Sequence, residues 1–187
     1  MRAKLILIVV LVTVSGCGTS GPLYSEIVST IPALESGKSR LIVYRKWAWK
    51  AGLGDAYVRV NEDIEIALPT DTFTYLDVTP GLNAMSVEVW ADLGTFLMSG
   101  TFKKDREYYF RVRPAKVDSW PYSEPIANFT PLLWGGWKRK VDEAAPAFKE
   151  AELNVIEHTG VFMLIPVSKN VAMKNLAETV FVPYAPQ

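Results

Sequence analysis

One cysteine and one histidine occur in 187 residues, and these two scarcities narrow the available chemistry. A single thiol closes no intramolecular disulfide. A Ser–His–Asp or Cys–His relay would have to run through His158, and one histidine with one cysteine is a poor donor set for zinc. No G-x-S-x-G elbow, H-E-x-x-H pair or glycine-rich phosphate loop occurs, and "GLGDA" at 52–56 reads as a turn. Glu62 and Asp63 are adjacent carboxylates, but they fall in an expected turn, where solvation is a simpler role than glycoside chemistry. The expectation is a protein that is not an enzyme, with no catalytic residue, no metal and no cofactor. Excess positive charge is also missing. Twenty basic residues balance twenty acidic ones with no basic stripe, which argues against nucleic-acid binding. No apolar run approaches the roughly 18–20 residues needed for a transmembrane helix.

What is present begins at the N-terminus. Arg2 and Lys4 form a short positive region, "LILIVVLVTV" at 5–14 is an apolar run, and "SGC" follows, which is the grammar of an export signal. The stretch "VSGC" (Val14, Ser15, Gly16, Cys17) resembles the lipobox of bacterial lipoproteins. Small Ser15 and Gly16 admit the chain to a peptidase at the membrane, and the Cys17 sulfur is the nucleophile that takes up a diacylglyceryl group. Residues 1–16 therefore read as a signal peptide and Cys17 as the lipidation site. The resemblance further implies acylation of the Cys17 amine by a palmitate-type chain. Two or more chains anchor durably where one binds marginally. Gly18 rather than Asp after the cysteine resembles outer-membrane sorting. Without Arg2 and Lys4, eighteen basic residues face twenty acidic ones, a mildly acidic body.

Residues 17–39, punctuated by Gly, Ser and Pro, read as the lipidated N-terminus and a tether, whose span as a flexible chain would be roughly 25 Å. Leu23, Ile27, Val28, Ile31 and Leu34 are more apolar than a solvated linker requires, so part of it is expected to pack back on the domain. From residue 40 to 187 the texture is that of a single β-sandwich domain, with short β-rich runs and turn signals about every ten residues. Strands are expected at 40–47, 56–60, 64–68, 73–78, 84–90, 95–102, 108–113 and 161–167. Asn61 in "VNED" suits a tight hairpin, and Pro80-Gly81 in "TPGLN" suits a turn with Gly81 at positive φ. Alternation places Val58, Val60, Ile64, Ile66, Met85, Val87, Val89, Tyr108, Phe110 and Val112 on core faces, with Arg59, Glu65, Glu88 and Arg111 opposite. The first strand is apolar on both faces in its first half, as a central strand would be.

Residues 115–160 read as an irregular aromatic insertion, with a short helix over 142–154 and His158 in a surface loop. Ser168 then caps a terminal helix whose apolar stripe is Met173, Leu176, Ala177 and Val180. The fold class expected is mainly β: an Ig-like, antiparallel sandwich with a short C-terminal amphipathic helix.

Tryptophan offers the candidate surface. Trp47 and Trp49 share one strand face, and Trp90 lies beside Glu88 on the polar face of the fifth strand. Such a platform suits a sugar ring or a protein hot spot, or else covers a sheet packed under the terminal helix. Trp134 and Trp137, before "KRK", suit either a headgroup layer or a core cap.

The runs "GKSRLIVYRKW", "AYVRVNEDIEIAL", "FTYLDVTPGLNAMSVEV", "YYFRVRP" and "VFMLIPVSKNVAMKNLAE" resemble the DUF2846 family of bacterial lipoproteins. The matching positions are Gly37, Lys38, Arg40, Tyr44, Arg45, Asn61, Pro80, Gly81, Tyr108, Tyr109, Pro166 and Val167, while Glu62 stands where a hairpin glycine is usual. The resemblance implies a lipid-anchored β-sandwich and no established activity. Two functions follow as expectations. The first is a non-enzymatic envelope lipoprotein, facing the periplasm or cell surface, with a membrane contact at Cys17 and an envelope protein partner. The second is a carbohydrate- or peptidoglycan-binding module using Trp47, Trp49 and Trp90.

Overall fold

The computed structural model of this chain describes residues 20–46, 54–89, 94–114 and 151–184. In chain order these carry α1 (Tyr24–Ile27), β1 (Ser39–Arg45), β2 (Ala56–Val60), β3 (Ile64–Leu68), β4 (Thr72–Val78), β5 (Gly81–Glu88), β6 (Phe96–Phe102) and β7 (Arg106–Pro114). There follow β8 (Asn154–His158), β9 (Phe162–Val167), α2 (Lys169–Leu176) and β10 (Val180–Phe181). One five-stranded sheet has the order β10-β4-β1-β7-β9, and a second has the order β3-β2-β5-β6-β8. The chain is therefore mainly β, a sandwich with a short C-terminal helix. The first sheet is mixed rather than antiparallel throughout, because β1 runs antiparallel to β4 but parallel to β7, and β10 runs parallel to β4. A parallel neighbour needs a long crossover, which the intervening strands of the other sheet supply.

The core lies between the sheets and follows the period of two. Val58, Val60, Ile66, Met85, Val87, Val89, Tyr108, Phe110 and Val112 are all buried there, with Ile64 packed against them at the rim. On the opposite face of the second sheet, Arg59 bridges carboxylates on both flanking strands, Nε to its partner Glu65 on β3 at 2.7 Å and Nη1 to the diagonal Glu88 on β5 at 2.6 Å. Such exposed pairs contribute about 0–1 kcal/mol each, so the apolar face stabilises this sheet and the charges keep its outer side in water.

Strand β1 is buried along its whole length. Leu41 and Val43 point into the intersheet core, while Ile42 and Tyr44 point outward into a second cluster with Phe73, Tyr109, Ala172 and Leu176. Tyr24, Ile27, Ile31 and Met173 complete that layer. The first sheet therefore has a roof, made of α2 and of the N-terminal segment expected to act as a tether. Ser168 caps α2, its side chain accepting from the Val171 N–H. The buried stripe of α2 differs from the expected one. Ala172 and Leu176 are buried and Met173 half-buried, whereas Ala177 is exposed and Val180 belongs to β10. The reason is the helix stop: the Thr179 N–H and hydroxyl both donate to the Leu176 carbonyl, at 2.8 and 2.7 Å, so no further turn forms.

The turns bear out the local chemistry. Asn61 and Glu62 have φ of 53° and 64°, so Glu62 takes the left-handed conformation that glycine would hold more cheaply. Gly81 has φ of 114° as the Pro-Gly step requires, and it opens β5 directly. Between residues 151 and 158 the expectation is corrected. The helix does not extend over 152–154, since Glu152 has a φ of 47° and β8 begins at Asn154. His158 is the last residue of that strand, half-buried and edge-to-face with Phe96 at 5.4 Å, rather than a surface-loop residue.

Candidate functional site

Cys17, Trp47, Trp49, Trp90, Trp134 and Trp137 lie outside the described residues, as does the insertion from 115 to 150. What the structure does place are the family-like motif residues, and it places them at structural keystones rather than around one cleft. Gly37, at φ 83°, donates its N–H to Asp105 at 2.8 Å, while the Asp105 N–H donates to the Lys38 carbonyl, so this pair ties the entry of β1 to the β6–β7 turn. Asn61 accepts from the Ala84 N–H at 2.9 Å and donates to Asn83 at 2.7 Å. Asn83, itself buried, donates to the carbonyls of Thr79 and Gly81, so one amide network joins the hairpin to the Pro-Gly bend. The Tyr108 hydroxyl accepts from the Lys103 N–H at 2.9 Å, and the Tyr44 hydroxyl accepts from Asn175 at 3.2 Å, linking β1 to α2.

Two buried arginines escaped the sequence reading as buried groups. Arg40 is doubly paired with Asp77, at 2.7 and 2.8 Å, and donates to the Pro32 and Ala33 carbonyls while lying over the Tyr75 ring. It clamps the N-terminal segment onto the first sheet, and the Asp77 hydrogen bonds raise its pKa further. Arg45 donates to the Gly54 and Leu68 carbonyls at 2.8 and 3.1 Å and lies over the Phe162 ring at 4.6 Å. Desolvation lowers its pKa, yet a guanidinium stays charged, so it holds one end of the sandwich as a buried cation. The sequence signal for both was a basic residue inside a strand whose neighbours on both faces are apolar.

A third cluster was also missed. Glu107 accepts from the Tyr109 hydroxyl at 2.6 Å and from Lys169 at 2.9 Å, at the N-terminal end of α2. Desolvation alone would raise the Glu107 pKa, but the hydrogen bonds from Tyr109 and Lys169 outweigh it and hold the carboxyl below its ordinary value. Burial, together with the bond to Glu107, pushes the Tyr109 hydroxyl far up. At the far edge of the second sheet, Thr159 donates through its hydroxyl to Glu157 at 2.9 Å and accepts from the Thr95 N–H at 3.1 Å. Gly94 and Gly160 allow this close approach, since a Cβ on Gly94 would stand 2.5 Å from the Thr159 carbonyl oxygen. Burial lowers the pKa of the adjacent His158. Among the described residues no three His, Cys, Asp or Glu side chains are grouped to hold a metal, and no helix is long and apolar enough to cross a membrane.

These arrangements clamp, cap and pin: Arg40, Arg45, Asn61, Asn83 and Glu107 each bond to a backbone or side-chain partner within the fold. No protein-family model matches the chain, and no curated protein matches it.

Proposed function

We propose that this chain is a non-enzymatic lipoprotein of the bacterial cell envelope, anchored through lipid on Cys17 and presenting its β-sandwich as a binding or assembly surface, in the manner of the DUF2846 lipoproteins it resembles. The observation that carries this reading is the order of three N-terminal features: a basic start, a ten-residue apolar run and "VSGC". The keystone roles of Arg40, Asn61, Gly81 and Tyr108 support it from another side. Each of these four has a folding role in the sandwich. Gly18 after the cysteine, which resembles the outer-membrane sorting pattern, supports outer-membrane placement.

The test is metabolic labelling with an alkyne-bearing fatty acid in cells that express the chain or its Cys17→Ser variant. The native chain should carry label and sediment with membranes, and the variant should do neither. Label or firm membrane retention surviving in Cys17→Ser would overturn the reading.

A further inference from the structure

We infer that the sandwich rides directly on the bilayer, with the β10 edge of its first sheet and the α1 segment turned toward the lipid headgroups. The inference rests on lipidation at Cys17, and deepens it by naming the face that the lipid surface meets.

If residues 18–39 were a free tether, the domain could stand some 25 Å from its anchor and turn any face toward the membrane. The structure removes nearly all of that length. Leu23 bridges Val180, the Phe181 N–H donates to the Pro22 carbonyl at 2.9 Å, and the Tyr24 N–H donates to the Thr179 carbonyl at 2.8 Å. Gly21 is seated so closely that a Cβ there would stand 2.8 Å from the Phe181 carbonyl oxygen. Residues 21–23 thus lie along β10 as a further edge segment, and α1 follows at once. Only four residue steps separate Cys17 from Gly21, which span about 14 Å even when fully extended.

Direction follows from the sheet order. Strands are spaced about 4.8 Å apart, so β9, four places from β10, lies roughly 19 Å further from the anchored edge. Strand β9 packs against β5 and β6 of the other sheet. Leu82 on β5, 76% exposed, alternates with the buried Asn83 and so lies on the outer face of the second sheet, across the sandwich from α1, whereas Ser25 and Val28, exposed at and just after α1, are proximal. Between residues 20 and 34 the only charge is Glu26. Attachment, not headgroup charge, sets this contact, and it holds on zwitterionic lipid.

The experiment uses lipidated full-length protein purified from membranes, in which Cys17 is a thioether and does not react with maleimide. Ser25→Cys and Leu82→Cys variants are labelled with a bimane and reconstituted into phosphatidylcholine vesicles that carry a headgroup nitroxide. Quenching should be severalfold stronger at position 25 than at 82, and unchanged by adding anionic lipid. A flexible insert of about 12 Gly/Ser residues between Gly18 and Thr19 should bring the two positions close to each other. Equal quenching at 25 and 82 without the insert, on protein that floats with the vesicles, overturns the orientation and leaves the anchor standing. Protein that fails to float and lacks the acyl mass overturns both.

Discussion

Leu176→Ala tests whether α2 belongs to the folded core. The side chain is 0% exposed and sits on the roof of the first sheet with Ile42, Tyr44, Phe73 and Tyr109. Truncating a buried leucine costs about 2–5 kcal/mol, a transfer part plus a part for the cavity that remains. Because α2 packs from one side only and can settle inward, the cavity part is partly recovered, and about 2–3 kcal/mol is expected. For a domain of this size each kcal/mol lowers Tm by roughly 2–4 °C, so the melt should fall by about 4–12 °C. Val171→Ala is the control on the same helix, since Val171 is 47% exposed and its loss should stay within about 0.5 kcal/mol. Eight helical residues are marginal alone, so Leu176→Asp should cost more than the alanine, and truncation after Val167 should unfold the domain by removing α2 together with the β10–β4 pairing. Thermal and urea melts followed by circular dichroism read these directly. A Leu176→Ala melt that coincides with that of Val171→Ala would show the roof to be peripheral and refute the reasoning.

Three other outcomes are expected. At Gly81, φ of 114° with open space where a Cβ would stand makes the penalty one of backbone strain alone; Gly81→Val should cost about 1–3 kcal/mol and Gly81→Asn less, and equal melting losses would contradict the assignment. Asp77→Ala strands the buried Arg40, but Asp77 keeps 21% of its side chain exposed, so about 1.5–3 kcal/mol is expected, with Asp77→Asn milder; urea midpoints check this. Stability should fall on acidification in two windows. His158, with its folded pKa depressed by burial, loses stability as pH drops from about 6.5 through the folded value. Glu107, depressed by its Tyr109 and Lys169 bonds, loses stability below its ordinary range as pH falls through its own folded value. A Tm profile from pH 8 to 3 should lose the upper window in His158→Gln and shrink the lower one in Tyr109→Phe.

Strands whose faces differ in polarity were legible from alternation, and β2 and β3 have the expected bounds to the residue. Strand β8 was not, because it is an edge strand that exposes Ile156 and pairs with β6 across a register shift at Leu97 and Met98, which breaks the period of two. The two-residue β10 exists only through its neighbours, β4 on one side and Leu23 on the other. Alternation assigns faces but not partners, so the parallel pairing of β1 with β7 had no local signal. The same limit hid Arg40, since charge in a strand reads as solvent-facing until a second layer is known to cover it, and Arg45, whose burial comes from the Phe162 ring and the Gly54 and Leu68 carbonyls of distant segments. Apolar Ile27 and Ile31 did hint at that layer, and the structure shows them packed within it against the first sheet.

The state of Cys17 decides the proposed function. Mass spectrometry of the N-terminal peptide of protein extracted from native membranes measures it in one step. The reading predicts a chain that begins at Cys17 with the mass of a diacylglyceryl group on sulfur and an acyl chain on the amine. A chain that retains residues before Cys17, or that begins there with a free thiol, would contradict it.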